Sequence, residues 1–89
     1  MLVRYFAAAR AAAGTDSETV PLDGPAAPTR REVECLLAAR HPQPPSGQPP
    51  LAQVLARSSF LLDGVACPDP RTPIGPDAVL DVLPPFSGG

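Results

Sequence analysis

The chain has 89 residues, a formal net charge of −2 and a hydrophobic fraction of 44%, which fits one small folded domain. A domain of this size buries only about 60% of the surface that its unfolded chain exposes, which leaves little room for a deep catalytic cleft and favours a binding or carrier module. All seven basic residues are arginines, and they form no basic run, which argues against nucleic-acid binding. Without lysine, the chain offers no side-chain amine as an acceptor for an isopeptide bond.

The residues that could bind a metal or form disulfides are few. Cys35 and Cys67 cannot form a disulfide framework, and we expect both to be reduced thiols that contribute to packing. His41 is predicted to lie on a loop surface, so no metal site is expected. The apolar N-terminal stretch 1–10 is interrupted by Arg10 and is too short to span a membrane. These features predict a soluble, cytoplasmic protein with no nucleic-acid or membrane partner.

The first predicted element is a strand at Leu2–Phe6, followed by a short helix. Alternation places Val3 and Tyr5 on one face of the strand and Leu2, Arg4 and Phe6 on the other. The alanine-rich run 7–13 suits one or two helical turns, and the glycine after it is a typical helix stop.

A second strand and the main helix come next. The segment 15–22 has a strand pattern, but Pro21 cannot donate to a ladder, so this strand should lie at a sheet edge. Thr29 and Glu32 have the spacing of a capping box, which predicts that a helix begins there and runs to about Arg40. The helix carries an apolar stripe of Val33, Leu36 and Leu37.

The proline-rich segment 42–50 contains five of the fourteen prolines and is predicted to be an exposed surface loop with polyproline character. A short helix is predicted at Leu51–Arg57, with three inward residues on one face. Those residues are Leu51, Val54 and Leu55.

The C-terminal half is predicted to contain a hairpin and a last strand. Strands at 58–62 and 65–67 flank Asp63-Gly64, which is a strong hairpin signal. Ile74 is predicted to anchor a loop to the core, and a second turn is expected at 75–77.

The last strand, Val79–Leu83, should direct Leu80 and Val82 inward. Its remaining residues, Val79, Asp81 and Leu83, should point outward. One long helix after a strand pair can cover one face of a mixed sheet, which is an α+β arrangement. We expect the first and last strands to lie adjacent and parallel at the centre of that sheet.

The sequence at 83–89, Leu-Pro-Pro-Phe-Ser-Gly-Gly, resembles the ending of molybdopterin synthase small subunits in the MoaD/ThiS family of sulfur carriers. The segments 3–10 and 73–80 also resemble that family, although Gly-Pro-Asp stands at 75–77 where the family usually has Asp-Gly-Asp. The resemblance covers nearly the whole chain, with 42–50 as an insertion. It implies a β-grasp (ubiquitin-like) domain at 1–83 and a C-terminal tail at 84–89. The β-grasp fold would place Val3 and Tyr5 of the first strand inward and Phe6 outward.

The physical character of the tail agrees with that resemblance. Pro84 and Pro85 restrict the backbone, whereas Gly88 and Gly89 lack Cβ atoms and can enter a narrow channel. Six extended residues reach roughly 20 Å. The full tail consists of Pro84, Pro85, Phe86, Ser87, Gly88 and Gly89.

The family resemblance also implies a chemistry. A free α-carboxylate has a pKa of about 3.5 and is ionised and unreactive at neutral pH. The resemblance implies that a ubiquitin-activating-enzyme-like adenylyltransferase uses ATP to adenylate the carboxyl group of Gly89, and that a sulfur donor then converts it to a thiocarboxylate. The large subunit of molybdopterin synthase would supply the catalytic pocket, so this chain would be a non-catalytic carrier that binds no cofactor. Phe6 and Leu83, two outward-facing apolar residues, are the predicted partner interface.

Other functions suit the same tail. A related carrier could serve thiamine, cysteine or tRNA thiolation, although thiazole carriers tend to be shorter and to lack the Pro-Pro sequence. A ubiquitin-like modifier conjugated to lysines of other proteins would use a similar Gly-Gly ending. A plain interaction module would bind its ligand through the proline-rich loop or the sheet.

Overall fold

A computed structural model describes residues 1–85, and the tail residues 86–89 lie outside the described residues. It contains a five-stranded mixed sheet in the order β2-β1-β5-β3-β4 and three helices, which confirms the predicted α+β, β-grasp fold. The strands are β1 Leu2–Tyr5, β2 Ser17–Thr19, β3 Ser59–Leu62, β4 Val65–Ala66 and β5 Val79–Leu83. The helices are α1 Ala7–Ala13, α2 Arg30–Arg40 and α3 Leu51–Leu55.

The centre of the sheet is the parallel pair of the first and last strands, as predicted. The register runs from Leu2 opposite Val79 to Tyr5 opposite Val82. On the outer sides, β2 pairs antiparallel with β1, and the β3–β4 hairpin pairs antiparallel with β5. The strand β5 is therefore the middle strand of the five.

The core lies between one face of this sheet and the helices. Val3, Tyr5, Leu80 and Val82 are at most 1% exposed, so the predicted inward positions of β1 and β5 are correct. In the predicted apolar stripe of α2, Val33 and Leu37 are buried, whereas Leu36 is only partly buried. The remaining predicted inward residues are also buried: Leu51, Val54, Leu55 and Ile74.

Local signals fix the ends of the helices. The hydroxyl of Thr29 accepts a hydrogen bond from the backbone N–H of Glu32 at 3.2 Å, and the carboxylate of Glu32 accepts one from the N–H of Thr29 at 3.0 Å. This is the predicted capping box, and these hydrogen bonds lower the pKa of Glu32. Gly14 ends α1 in the left-handed conformation, with φ 75°.

The hairpin turn at Asp63-Gly64 is tied to the central strand. Both residues have positive φ angles, 51° and 84°, as a type I′ turn requires. The backbone N–H of Asp63 donates to the carbonyl of Val79 at 2.8 Å, and its carboxylate accepts from the N–H of Val79 at 2.9 Å. The turn therefore holds the start of β5 in place.

Some strands are shorter than predicted. The strand β2 spans only Ser17–Thr19 and lies at the sheet edge, which agrees with the missing N–H of Pro21 just beyond it. The strand β1 ends at Tyr5 because Phe6 is the N-cap residue of α1. Ser58 does not begin β3, since its hydroxyl donates to the carbonyl of Val54 and closes the end of α3.

The two cysteines have different environments. Cys67 is 5% exposed and packs in the core, as predicted. Cys35 is exposed on α2, so the prediction that it packs in the core is wrong. Within residues 1–85, no helix is both long and apolar enough to cross a membrane. No group of three or more potential metal-ligating side chains occurs in that same part of the chain.

Candidate functional site

The tail leaves the domain at the end of the middle strand. β5 ends at Leu83, Pro84 is buried, and Pro85 is exposed. Proline has no backbone N–H, so the ladder cannot continue past Leu83 through these residues. The exit is flanked by the end of β1, where Tyr5 lies opposite Val82, and by the start of β3. Each of the tail residues Phe86, Ser87, Gly88 and Gly89 lies outside the described residues.

Phe6 and Leu83 lie next to each other at this exit. The backbone N–H of Phe6 donates to the carbonyl of Val82 at 3.2 Å, which continues the parallel register by one residue and places Phe6 beside Leu83. Phe6 is 42% exposed, and Leu83 is partly buried. Both belong to the sheet face opposite the core, so they form one apolar patch at the base of the tail.

We call this side of the sheet the open face, because within residues 1–85 the buried side chains of the three helices pack in the core with the inward residues of the sheet. Its apolar members alternate with the core residues along three adjacent strands, so the patch extends away from the tail exit. Leu2 is the most exposed of them after Phe6, at 37%. The apolar residues of the open face are Leu2, Phe6, Leu61, Val79 and Leu83.

An ion pair crosses the middle of the open face. Arg4 on β1 donates through Nε and Nη2 to the two carboxylate oxygens of Asp81 on β5, at 2.5 and 2.8 Å. The bond to Asp81 raises the pKa of Arg4. Asp81 lies on the outward face, as predicted, and its side chain is only 5% exposed because Arg4 lies over it. Such a bidentate pair fixes the register between the two strands.

A second polar cluster lies at the edge of the core. Glu18 on β2 accepts hydrogen bonds from the hydroxyl of Tyr5 at 2.7 Å and from Nε of Arg40 at 2.9 Å, and it contacts Nε2 of His41. His41 also meets the ring of Tyr5 edge-on, with centroids 6.1 Å apart. The prediction of His41 as a loop-surface residue is therefore wrong, because the end of α2 turns its imidazole toward the edge strand.

The pKa shifts in this cluster favour an ionised Glu18 and a neutral Tyr5. Burial, followed by the hydrogen bond to Glu18, raises the pKa of Tyr5 far above its ordinary value, so the phenol stays neutral. Burial by itself would raise the pKa of Glu18, but the hydrogen bonds from Tyr5, His41 and Arg40 outweigh it and the pKa is lowered. An ionised Glu18 thus joins the edge strand to the end of α2.

On the other side of the tail exit there is a hollow, which we call the tail-base hollow. It lies between α1, α3, the end of the proline-rich loop and the first tail residues, and has a volume of about 340 Å³. None of its lining residues belongs to the open face. They are Ala8, Pro49, Gln53, Val54, Arg57, Pro84 and Pro85.

The comparisons with known proteins support the fold. No protein-family profile matches the chain, and no curated protein matches its sequence. The crystal structure of SAMP1 from Haloferax volcanii is similar, with a TM-score of 0.73 over 100% of this chain and 98% of that chain, at 21% sequence identity. At this identity the similarity demonstrates the shared ubiquitin-like, β-grasp fold.

Proposed function

We propose that this chain is the sulfur-carrier subunit of a molybdopterin synthase and carries sulfur as a thiocarboxylate on Gly89 for molybdenum cofactor biosynthesis. The observation that carries the proposal is the position of the tail. A Pro-Pro-Phe-Ser-Gly-Gly sequence begins where the middle strand of a β-grasp sheet ends, directly beside an exposed apolar patch. A partner that binds the patch would therefore also receive the tail.

In the proposed reaction, another enzyme must activate the carboxyl group of Gly89, because a free carboxylate is ionised and unreactive at neutral pH. The carboxylate of Gly89 attacks the α-phosphorus of ATP in the activating enzyme, giving an acyl-adenylate and pyrophosphate. A sulfide equivalent from the sulfur donor then displaces AMP and leaves the thiocarboxylate. In the synthase, two such carriers each give one sulfur to cyclic pyranopterin monophosphate to make the dithiolene. The carrier is regenerated with a carboxylate, so it is a co-substrate and not a catalyst.

The open face has the properties that this role requires. Phe6 and Leu83 are adjacent to the point where the tail begins, and apolar anchors near the centre of an interface carry much of the binding energy. The Arg4–Asp81 pair and the strand pairing around it hold this face rigid, so little conformational freedom is lost on binding.

A ubiquitin-like protein modifier is the second candidate, and the structural similarity to SAMP1, a small archaeal modifier protein, favours it. The modifier would form an isopeptide bond to a lysine of another protein instead of a thiocarboxylate. Carriers for thiamine, cysteine or tRNA thiolation would use the same tail and differ in the enzyme that accepts the sulfur.

The pathway can be tested apart from the activation step. The chain is prepared with a thiocarboxylate by sulfide cleavage of an intein fusion placed after Gly89, and it is mixed with a pterin-synthase large subunit and cyclic pyranopterin monophosphate. We expect formation of the dithiolene product, and none with the carboxylate form of the chain. If a thiazole synthase or a cysteine synthase consumes the thiocarboxylate while the pterin-synthase subunit does not, the molybdopterin assignment is wrong.

A further inference from the structure

We propose that the tail-base hollow is a second docking site, which binds an aromatic side chain flanked by carboxylates in a segment of a partner protein. This goes beyond the proposed sulfur chemistry, because it assigns an interaction to the proline-rich loop and α3. The open face and the tail-base hollow lie on separate surfaces on either side of the tail exit.

The walls of the hollow are apolar and rigid. Three are proline rings, from Pro49, Pro84 and Pro85, and a fourth is the methyl group of Ala8. Proline and alanine have almost no side-chain freedom to lose, so ordering these walls on binding costs little conformational entropy. Val54 is 6% exposed and forms the part of the wall that reaches into the core. The flat faces of proline rings suit a planar aromatic side chain.

The size of the hollow limits its occupant. A volume of about 340 Å³ is near the lower end of the range for ligand pockets, which begins at about 300 Å³. It is large enough to hold one large side chain of a bound peptide. The backbone of the peptide would then run along the rim, where Gln53 can hydrogen-bond to it.

Charge selects the sequence around the aromatic side chain. Among residues 1–85, Arg57 is the one charged residue that lines the hollow, and no carboxylate of that part of the chain lines it. Five of the seven arginines have a carboxylate within 4.0 Å in the described part of the chain, and Arg57 is not among them. A partner carboxylate beside the aromatic residue would supply a charge opposite to that of Arg57 at the rim.

A peptide experiment tests this directly because the chain contains no tryptophan, so the emission of a tryptophan in the probe is free of background. The probe is the blocked peptide Glu-Asp-Trp-Asp-Glu, and the matched probe replaces each acidic residue with lysine. We expect a blue shift of the tryptophan emission with the acidic probe only. Amide NMR shifts should cluster at Ala8, Gln53 and Arg57.

Three variants assign the binding to the hollow. Arg57→Glu should lower the affinity for the acidic probe by about tenfold, because attraction to the carboxylates becomes repulsion at the rim. Arg71→Glu makes the same charge change on an exposed loop residue that does not line the hollow, and it should change affinity less than about twofold at physiological salt. Ala8→Gln should fill the hollow and abolish the blue shift, while thermal unfolding followed by circular dichroism confirms that each variant is folded.

Several results would overturn the proposal. They are equal affinity for the acidic probe and the lysine probe, amide NMR shifts confined to the open face, or no blue shift of the tryptophan emission at millimolar probe. If Phe86→Ala alone moves the amide signals of Ala8 and Gln53, the chain's own tail occupies the hollow and the proposal is wrong. If those signals move with protein concentration without a probe, a second copy occupies it. All of these outcomes leave the thiocarboxylate test unaffected, so the two proposals fail separately.

Discussion

At the scale of the residue, the backbone conformation of Ala7 allows the first strand to turn directly into α1 beside the tail exit. Ala7 follows Phe6 and has φ 49°, in the left-handed region that favours glycine. A non-glycine residue there costs on the order of 1 kcal/mol, and Ala7 is exposed, so its methyl group gains little from packing. The strained turn lets Phe6 remain on the open face while α1 starts immediately afterwards.

Glycine should therefore be better than alanine at this position. We expect Ala7→Gly to raise the free energy of unfolding by up to about 1 kcal/mol, and Ala7→Val to lower it by at least about 1 kcal/mol. Ala8→Gly is the matched control, and it should lower stability by about 0.5–1 kcal/mol as glycine does within a helix. Urea unfolding measures all three. A loss of stability in Ala7→Gly equal to that in Ala8→Gly would contradict the strain.

The Glu18 cluster gives a prediction of pH dependence. The pKa of Glu18 is lower in the folded chain than in the unfolded chain, so its ionised form stabilises the fold above about pH 4.3, and this contribution is lost as the pH falls. We expect Glu18→Gln to lower the free energy of unfolding by about 1–2 kcal/mol at pH 7, through weaker bonds to Tyr5 and Arg40. The difference from the native chain should shrink below about pH 4.

Urea titrations between pH 3 and pH 7 measure this difference. Asp23→Asn removes the same charge from an exposed loop residue and should change stability by less than about 0.5 kcal/mol at every pH. A difference for Glu18→Gln that stays constant down to pH 3 would show that the ionised carboxylate does not stabilise the fold.

At the scale of the element, sequence patterns predicted what depends on near neighbours. The capping box of α2 needs only Thr29 and Glu32, and the hairpin turn needs only Asp63 and Gly64. Alternation was enough to place Leu80 and Val82 in the core. Each of these signals is local, so no knowledge of the tertiary structure is required to recognise it.

Contacts between distant elements could not be predicted in this way. Arg4 and Asp81 are 77 residues apart, and only the parallel register of β1 and β5 brings them together. Arg30 looks like an exposed first residue of a helix, yet it is 8% exposed, donates to the carbonyl of Cys67 at 2.6 Å and lies over the ring of Phe60. His41 follows the same rule, since its partner Glu18 belongs to another element.

The apolar patch of the open face gives a prediction about binding. Phe6→Asp should weaken binding to the synthase large subunit by at least about tenfold, because it removes an apolar anchor and adds a charge that binding must desolvate. Val65→Asp introduces the same side chain at a residue that is 69% exposed on the opposite edge strand, and it should leave the affinity unchanged. Isothermal titration calorimetry measures both. Equal affinities for the two variants would mean that the partner binds another face.

At the scale of the whole molecule, the proposed function makes the domain the base of a short arm, residues 84–89. The middle strand is held by neighbours on both sides, and it is followed by two prolines, which have no N–H to extend the ladder. From Pro84, the arm can reach roughly 20 Å, enough to enter the active site of a partner that covers the open face. The fold class could be predicted from the sequence, whereas the choice of pathway depends on surfaces of other proteins.

The most direct test of the account is the mass of the intact chain after incubation with an adenylyltransferase, ATP and a sulfur donor. We expect the mass to rise by one oxygen-to-sulfur exchange located on Gly89. Deletion of Gly89 should abolish sulfur transfer without unfolding the domain, since it shortens the arm by roughly 3.3 Å. One added residue after Gly89 should also abolish it, because the carboxyl group becomes an amide. Absence of the exchange in the native chain, or product formation by the chain lacking Gly89, would contradict the sulfur-carrier function, and attachment of Gly89 to lysines of other proteins would instead establish a modifier.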